Sequence, residues 1–378
     1  MECKNSNAMR IDAVSVLNYR NLADVGITLS SGINCFIGSN GMGKTNLLDA
    51  VYYLAFCKSA VTVVDGSNIM HDEPFFMLQA QYVSDSGIDG EVSCGLKRGE
   101  KKQFKKNGKA YERLADHIGT IPLVMISPAD NGLIAGGSEE RRRFMDVVIS
   151  QYDKEYLNAL IRYNRALQQR NAMLRGEYGF DAEMMSLMEE MMVVEAKVIH
   201  AGRSRFVEEL LPVFMEFHGT ITGGRESVGL RYRSHLNDDD LGELLASSRN
   251  DDRNLGYTSK GVHRDELVMQ LGGYPIKKEG SQGQNKSFLV SLKLAQFDFL
   301  RRKGGETPLL LLDDIFDKLD SNRVEQIVGL VSGDGFGQIF ITDVNREHID
   351  MILERVDKEY RLFGVLDGNV ELIKEKCS

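Results

Sequence analysis

Residues 38–45 constrain this chain more than any other segment, because they read Gly-Ser-Asn-Gly-Met-Gly-Lys-Thr. This matches the phosphate-binding loop pattern G-x-x-x-x-G-K-[ST] at every fixed position. Its glycines let the backbone curl so that several N–H groups converge on one anion. The preceding residues 33–37 are apolar and strand-like, and 45–56 have a helical pattern, so a helix N-terminus would point at the anion. The segment predicts a nucleoside triphosphate site.

Two side chains of this loop have specific chemistry. Lys44 supplies a positive charge to the β- and γ-phosphates and is predicted to contribute to catalysis, while the Thr45 hydroxyl is a predicted Mg²⁺ ligand. The whole loop is predicted to bind the nucleotide, through Gly38, Ser39, Asn40, Gly41, Met42, Gly43, Lys44 and Thr45. A nucleoside triphosphate and Mg²⁺ are therefore the expected cofactors.

The leucine run 309–312 is followed at once by Asp313 and Asp314. Consecutive apolar residues are typical of a parallel strand covered on both faces, and ligands collect at the carboxyl ends of such strands. Together with a phosphate loop, the two carboxylates indicate hydrolysis. Asp313 is predicted to hold the hydrated Mg²⁺, and Asp314 to orient or deprotonate the attacking water.

A third polar motif, Ser-Gln-Gly-Gln at 281–284, precedes a long helical pattern. Phe288, Leu292, Ala295 and Phe299 are expected to share one face of this amphipathic helix. A serine hydroxyl and a glycine amide at a helix start form a second anion site. One chain needs only one γ-phosphate site, so the surplus suggests that the second site completes a partner's pocket. An ordinary N-cap serine is the alternative.

Composition limits location and partners. The 378-residue chain has no apolar run near the ~20 residues of a membrane span and no signal-peptide pattern, so a cytoplasmic protein without a membrane partner is expected. Its five cysteines are widely spaced, which argues against a zinc site or a disulfide framework. The net charge of −9 argues against indiscriminate coating of nucleic acid, although a local basic patch is compatible with it.

The segment 97–113 provides such a patch, with eight basic residues against two acidic ones. It is predicted to be a hairpin, and Lys101, Lys102, Lys105 and Lys106 are its candidate DNA contacts. Because the segment contains only two aromatic residues, contact with a duplex backbone is favoured over stacking on single strands. A solvated hairpin without a ligand is the alternative.

Two short stretches of alternating polarity precede the strand of the phosphate loop. In the first stretch, Ile11 and Ala13 are expected to face away from Val14 and Val16, because side chains alternate along a strand. Glycine becomes rare between 138 and 217, where apolar residues fall at helical spacing. That block indicates a compact helical subdomain.

The order of phosphate loop, long insertion, S-x-G-Q and L-L-L-D-D resembles the ATP-binding-cassette heads of SMC-like chromosome maintenance and repair ATPases. Within that group the chain is most similar to the RecF type. The absence of C-x-x-C disfavours the zinc-hooked members, and the short helical block disfavours a true SMC protein. The motifs that carry the resemblance are 18–21 (Asn-Tyr-Arg-Asn), 127–130 (Ser-Pro-Ala-Asp), 140–146 (Glu-Arg-Arg-Arg-Phe-Met-Asp), 261–265 (Gly-Val-His-Arg-Asp) and 281–284.

The resemblance implies an α/β fold. The expected fold is an ABC-type ATPase head, with a mixed sheet, a P-loop and N-terminal antiparallel strands, into which a mainly helical second lobe is inserted. The implied domains are a disordered extension at 1–8, ATPase lobe I over 9–135 and 301–378, and lobe II with the third motif over 136–300.

The resemblance also implies an ATP-dependent homodimer in which two heads enclose two ATP molecules. Ser281, Gly283 and Gln284 would then act on the partner's nucleotide, and residues 317–320 would link the two sites. Arg20, in the first shared motif, joins the predicted nucleotide-binding residues.

The implied function is ATP-dependent binding to double-stranded DNA at gap junctions, in DNA replication, DNA damage repair and the SOS response. RecR and RecO-type mediators are the implied partners in loading a recombinase. Hydrolysis is expected to be weak, DNA-stimulated, and to release the dimer. The alternative is a cassette head that serves another partner, either nuclease-associated or regulatory.

Some positions depart from the wider cassette pattern. Asp314 stands where a glutamate is usual, and no glutamine lies near 127–130. Thr342 and Asp343 occupy the place of the switch histidine. The γ-phosphate sensor is therefore unassigned, with His263 and Arg264 as candidates.

Overall fold

The computed structural model describes residues 8–176, 181–317, 319–333, 335–355 and 357–377. Residues 1–7 of the expected N-terminal extension and Lys318 of the loop 317–320 lie outside the described residues. The strands are β1 (Arg10–Tyr19), β2 (Leu22–Thr28), β3 (Ile33–Ile37), β4 (Phe75–Val83), β5 (Asp89–Lys97), β6 (Gln103–Lys106), β7 (Lys109–Ala110), β8 (Leu123–Ile126), β9 (Val228–Arg233), β10 (Glu266–Leu271), β11 (Tyr274–Pro275), β12 (Leu309–Asp313), β13 (Ile339–Asp343), β14 (Tyr360–Leu366) and β15 (Asn369–Lys376).

The helices are α1 (Lys44–Phe56), α2 (Asn131–Ala135), α3 (Ser138–Tyr152), α4 (Lys154–Leu174), α5 (Ala182–Thr222), α6 (Leu241–Leu255), α7 (Ile276–Glu279), α8 (Gln282–Gly304), α9 (Ser321–Val331) and α10 (Arg346–Arg355). None of these helices, as described, has the length and apolarity needed to span a bilayer. The α/β fold class, with helices grouped in the middle of the chain, is as predicted.

The chain forms two compact units. The first unit contains the residues up to Asp130, residues 220–222 and the chain from Gln282 onward. It holds two six-stranded sheets, one in the order β2-β1-β4-β5-β6-β7 and one in the order β15-β14-β3-β13-β12-β8. In the second sheet β12, β13 and β3 are parallel, with Asp313 beside Thr342 and Asp343 beside Ile37. The carboxyl ends of these strands therefore lie side by side next to the phosphate loop.

The packing of β1 differs from the alternation predicted from its sequence. The pairing of β1 with β4 shifts in register between Ile11 and Ala13, which marks a β-bulge. A bulge adds one residue to a strand and so reverses which residues face inward. As a result Ile11, Val14 and Val16 are all buried, and the expectation that Ile11 faces away from the valines was wrong.

Helix α8 also differs from its prediction. Thirteen of its residues, from Ser287 to Leu300 with the exception of Lys293, are buried, so the helix is covered on almost every side rather than amphipathic. Lys293 is held at its Nζ by the carbonyl of Met125 at 3.0 Å and by Asp130 at 2.7 Å. These contacts place α8 in the first unit, whereas the sequence-based division assigns residues up to 300 to the helical lobe.

The second unit contains residues 131–219 and 223–281. Helices α3, α4 and α6 and most of α5 lie here, together with a three-stranded antiparallel sheet in the order β11-β10-β9. Asp240 caps α6 by accepting hydrogen bonds from the backbone N–H groups of Gly242 and Glu243. This unit is mainly helical, and of the three strands of its sheet only β9 lies within the polar segment 219–260.

Candidate nucleotide site

The phosphate loop joins β3 to α1, as its sequence predicts. Gly41 and Gly43 have φ angles of 83° and 115°, in the region that side chains disfavour. At Gly38 a Cβ atom would lie 2.3 Å from the carbonyl oxygen of Val365, so the close approach of β14 excludes any larger residue. The three glycines of the motif are therefore required by backbone geometry.

The start of α1 is open to an anion. Its N-cap is Gly43, which provides no side-chain hydrogen bond, and its first turn contains no acidic residue. The first N–H groups of a helix lack intrahelical partners and carry the positive end of the helix dipole. Lys44 is buried and its Nζ donates to the carbonyl oxygens of Gly38 at 2.8 Å and Ser39 at 3.1 Å. The loop thus brings backbone N–H donors and one cation together at the predicted phosphate-binding position.

Asp313 and Thr45 meet at this loop, as predicted. The Thr45 hydroxyl lies 3.1 and 3.0 Å from the two carboxylate oxygens of Asp313. A hydroxyl and a carboxylate are oxygen ligands of the kind Mg²⁺ takes, usually with several waters. Burial raises the pKa of Asp313, and the hydrogen bonds from Thr342 and Thr45 act in the opposite direction. The donor set of these two residues fits a Mg²⁺ ion.

Asp314 adopts a strained conformation at the end of β12, with φ at 46°. Its backbone N–H faces the carbonyl oxygen of Thr342 at 3.3 Å and the Thr342 hydroxyl at 3.1 Å. Within the part of the chain that the structure describes, its buried Oδ1 atom has no hydrogen-bond partner. Burial and, next, the charge of Asp313 raise the pKa of Asp314. A free carboxylate with a raised pKa is suited to accept a proton.

Thr342 is a site residue whose role the sequence did not reveal. Its hydroxyl donates to Asp313 Oδ1 at 2.6 Å and lies in hydrogen-bond reach of the Asp314 N–H. This buried side chain therefore orients the Asp313 carboxylate and holds the backbone of Asp314. Position 342 was noted only because a switch histidine is missing there. Nothing in the local sequence shows that β13 pairs with β12 in this register.

The turn between β1 and β2 forms hydrogen bonds with the phosphate loop and with the first turn of α1. Asn21 Nδ2 donates to the carbonyl oxygen of Gly41 at 3.1 Å, and Asn21 Oδ1 accepts from Asn46 at 2.7 Å. A side chain at Gly43 would collide with Asn21, at 3.1 Å. The turn between β14 and β15 reaches the loop as well, where Gly368 N–H donates to the Met42 carbonyl oxygen at 3.0 Å.

Arg20, a predicted nucleotide-binding residue, is held beside the loop in a left-handed conformation with φ at 57°. Its guanidinium donates to Asn46 at 3.1 Å, Asn68 at 3.0 Å and Ser59 at 3.2 Å. The carboxylate of Asp49 lies 3.4 Å away and is fully buried. Arg20 is therefore pre-oriented by groups on α1 and on the segment that follows it.

The motif 281–284 lies at the start of α8, which begins at Gln282. Ser281 is exposed and is the last residue of the second unit, while Gly283 and Gln284 belong to the first turn of the helix. Ser287 Oγ donates to the Gly283 carbonyl oxygen at 3.0 Å.

Arg323 continues this chain of contacts toward the loop 317–320. Its guanidinium donates to Ser287 Oγ at 2.7 Å, and its Nε lies 3.2 Å from Asp320. Asp320 also caps α9 by accepting from the Arg323 backbone N–H. A continuous polar path therefore joins Gly283 to Asp320 within one chain.

The basic segment forms the hairpins of β5, β6 and β7, and its lysines are divided between two faces. Lys106 lies opposite Lys109 and shares its face. Lys102 Nζ is engaged by the Cys57 carbonyl oxygen at 2.6 Å and Asp65 at 2.8 Å, which competes with any phosphate contact. Lys106 pairs across the sheet with Val92, which is buried, and Lys105 is the next residue along the strand. Since neighbouring side chains of a strand point to opposite faces, Lys105 and Lys106 diverge.

The comparisons with known proteins agree with this geometry. The model of the RecF/RecN/SMC N terminal domain matches residues 10–368. A protein of Phocaeicola vulgatus called DNA replication and repair protein RecF is 60% identical over 97% of this chain and 99% of its own length. The chain belongs to the RecF family. A protein of the same description from Bacteroides fragilis is 57% identical over 97% of this chain and all of its own length.

Solved structures show the same relationship. The recombination mediator protein RecF with ATP, described within the RecFOR pathway, superposes with a TM-score of 0.88 at 27% identity, over 99% of this chain and 100% of the other. An SMC head from Pyrococcus furiosus superposes with a TM-score of 0.58 at 16% identity, over 97% of this chain and 96% of the other. The latter likeness concerns the fold alone, and it confirms the predicted ABC-type head.

Proposed function

We propose that this RecF-family chain is an ATP-dependent DNA-binding protein of recombinational repair and replication, acting in the cytoplasm. The observation that carries the proposal is the convergence of an open phosphate loop, the Thr45–Asp313 pair and the free carboxylate of Asp314. Relatives of at least 57% identity are named DNA replication and repair proteins, and a related protein was solved with ATP.

In the proposed mechanism, the glycine loop and Lys44 hold the triphosphate. Thr45 and Asp313 would hold a Mg²⁺ ion, and when bound this ion would supply positive charge to the phosphates. Asp314 accepts the proton of the attacking water, and Thr342 holds the Asp313 carboxylate and the backbone of Asp314 in place. An aspartate in a strained conformation is a short and constrained base. Slow, switch-like hydrolysis is the expected result.

Dimerisation on ATP is the second part of the proposal. Ser281 is exposed, and Gly283 and Gln284 lie in the open first turn of a helix. Hydrogen bonds and an ion pair connect the motif to Asp320, through Gly283, Ser287 and Arg323. Through these contacts, binding of a partner's nucleotide at the motif would affect the loop 317–320.

Light scattering with a non-hydrolysable ATP analogue tests this part. A wild-type dimer, together with a monomeric Lys44→Ala variant that fails to bind nucleotide, is expected. A wild-type protein that remains monomeric at saturating nucleotide would refute the role of Ser281 in a partner's site.

The third part concerns DNA and partners. Gapped duplex DNA is the proposed ligand, and RecO- and RecR-type mediators are the proposed partners, because a related structure is described within the RecFOR pathway. The test is a titration of gapped, duplex and single-stranded DNA with and without ATP. We expect ATP to tighten binding to gapped and duplex DNA. Equal binding to all three DNAs, with no effect of ATP, would refute the proposal.

A further inference from the structure

The segment 256–264 of the second unit is an irregular loop that buried side chains hold rigidly. It begins at Gly256, the left-handed residue that ends α6, and contains only the short 3₁₀ turn Val262–Arg264. Loops of this kind are usually the mobile part of a fold. Here buried side chains of the second unit hold the loop at three positions.

The first fixing point is Thr258. The fully buried guanidinium of Arg170 donates to the Thr258 hydroxyl and to Asp252, each at 2.8 Å. Asn171 Oδ1 accepts from both the backbone N–H of Thr258 at 2.8 Å and its hydroxyl at 2.7 Å. The charge of Arg170 is neutralised inside the unit, so it serves the loop and not a ligand.

The second fixing point is His263. Its Nδ1 lies 2.8 Å from the Tyr163 hydroxyl and its Nε2 lies 2.9 Å from the Thr258 carbonyl oxygen, so both ring nitrogens are occupied. Burial lowers the pKa of His263 to about 4, and the ring is neutral at pH 7. His263 is therefore a structural residue and not the phosphate sensor that the sequence left open. Gly261, with φ at 124°, fits closely here, because a Cβ atom would lie 2.5 Å from the Tyr163 hydroxyl.

The third fixing point lies at the end of the loop. Arg203, which is 2% exposed, donates to the Val262 carbonyl oxygen and to Asp265, each at 2.7 Å. Tyr232 also donates to Asp265. Burying these charged and polar groups costs desolvation free energy, which their hydrogen bonds and ion pairs offset. The same contacts hold the loop in one conformation.

The surface of this rigid loop displays cations without counter-charges. Segment 256–264 contains Lys260 and Arg264 and no carboxylate. Arg264 is exposed, its guanidinium lies 5.0 Å from the Tyr257 ring centroid and it donates to the Thr258 carbonyl oxygen at 3.2 Å. Neither Lys260 nor Arg264 forms an ion pair with a residue that the structure describes.

The charges of Lys260 and Arg264 act on the neighbouring His235. Burial lowers the pKa of His235 and both cations lower it further, whereas Asp265 and Asp239 act in the opposite direction. Tyr257 is 42% exposed, and the guanidinium of Arg264 lies over its ring. An arginine that is held over an aromatic ring and by a hydrogen bond loses less side-chain entropy when it binds an anion.

We propose that Tyr257, Lys260 and Arg264 form a phosphate-binding element for the backbone of DNA, on the second unit and separate in sequence from the basic hairpins. The nucleotide already has the phosphate loop and Lys44, and of the hairpin lysines Lys102 is engaged by the Cys57 carbonyl oxygen and Asp65. One arginine held over an aromatic ring, with a lysine four residues earlier on the same loop, can contact successive phosphates of a polyanion. This inference rests on the proposed function, because it requires that the chain binds DNA.

The test compares the double variant Lys260→Gln/Arg264→Gln with the control Arg143→Gln/Arg165→Gln. The control removes the same charge from exposed arginines of α3 and α4 in the same unit. Duplex binding is measured by fluorescence anisotropy between 50 and 200 mM salt. We expect the first variant to bind about tenfold more weakly and its log K versus log salt slope to be about 1.8 less steep, since each phosphate contributes about 0.9. The control is expected to match the wild type.

A third variant, Tyr257→Leu, keeps every charge and removes the stacking surface. It should weaken duplex binding only about two- to fivefold, because exposed cation–π contacts contribute about 0.5–1 kcal/mol, and leave the salt slope unchanged. ATP-driven self-association is measured for all variants as a second assay.

Four outcomes separate the hypotheses. Wild-type protein that fails to bind DNA refutes the proposed function itself. A wild type that binds while the Lys260/Arg264 variant equals the control overturns this inference alone. Loss of self-association with intact DNA binding would assign the element to a second copy's nucleotide and overturn the DNA assignment. Loss of DNA binding with an unchanged melting temperature and intact self-association supports it.

Discussion

The nucleotide site and the loop 256–264 are both irregular, charged and contain glycines. They differ in how far their buried polar groups are hydrogen-bonded to other protein groups. At the nucleotide site, Asp314 Oδ1 has no partner among the described residues and the first turn of α1 is uncapped. In the loop network, the buried guanidiniums of Arg170 and Arg203 each meet carboxylates and carbonyl or hydroxyl oxygens. Asp265 Oδ1 is the exception there, since it has no partner among the described residues, although Asp265 Oδ2 is bound by Arg203.

The difference distinguishes polar groups that can bind a ligand from polar groups whose contacts stabilise the fold. A buried polar atom without a partner costs about 1–3 kcal/mol, so it persists where a ligand supplies the missing interaction. A buried guanidinium that is already bound by carboxylates and other oxygens leaves little for a ligand to gain. Arg170 and Arg203 are therefore structural, whereas Arg264 at the surface of the loop is exposed to a ligand.

The sharpest test of the comparison is Asp314→Asn. If Asp314 is the open group that accepts the proton, this variant should bind ATP normally and hydrolyse it about 10²- to 10⁴-fold more slowly. Single-turnover hydrolysis and nucleotide titration measure the two effects separately. Equal losses of binding and turnover would instead make Asp314 part of the binding surface.

The corresponding test in the second unit is Arg203→Met, which keeps side-chain bulk and leaves Asp146 and Asp265 without their cation. Removing one partner from a buried pair costs about 3–5 kcal/mol, so the free energy of unfolding should fall by this amount. Arg143→Met, at an exposed position of α3, is the control and should change it by less than about 0.5 kcal/mol. Chemical denaturation followed by circular dichroism measures both. A similar stability for the two variants would contradict the structural role of the network.

Thr342→Val should have a smaller effect. The substitution preserves shape and removes the hydroxyl that contacts Asp313 and Asp314. Loss of a hydrogen bond to a charged group costs about 1.5 kcal/mol, which corresponds to a roughly tenfold slower turnover. The Mg²⁺ concentration for half-maximal hydrolysis should rise as well. An unchanged Mg²⁺ dependence would show that Thr342 supports the fold without positioning Asp313.

The smallest expected effect is a gain in stability of the nucleotide-free Asp314→Asn variant. The pKa of Asp314 is raised in the folded state, so its carboxyl favours folding only when protonated, and this contribution is lost as pH rises through the folded pKa. At pH 7 the ionised group therefore destabilises the fold, and asparagine removes that penalty. Asparagine also tolerates a positive φ.

The melting temperature of this variant should exceed that of the wild type at pH 7. The difference should shrink below about pH 3.9, where aspartate is protonated in the unfolded chain as well. Differential scanning calorimetry at the two pH values measures this change. An equal difference at both pH values would show that backbone conformation, and not charge, is responsible.

Several features were predictable because their signals are local. A glycine-rich loop between a strand and a helix has few other uses, and four leucines before two aspartates mark a buried strand end. The proximity of Thr45 to Asp313 followed from the same reasoning, since parallel strands present their carboxyl ends at one edge of a sheet. The family followed from the order of these motifs.

The tertiary structure decided the features that depend on register and packing between distant segments. The pairing of β12 with β13 brings Thr342 to both aspartates, the bulge in β1 reverses the face of Ile11, and Asp65 engages Lys102 across 37 residues of sequence. The burial of α8 depends on neighbours far away in the chain. Sequence by itself therefore determined the chemistry of the nucleotide site, because that chemistry resides in contiguous motifs. Only the tertiary structure showed which charges are neutralised by partners and which remain available to a ligand, because counter-charges come from remote parts of the chain.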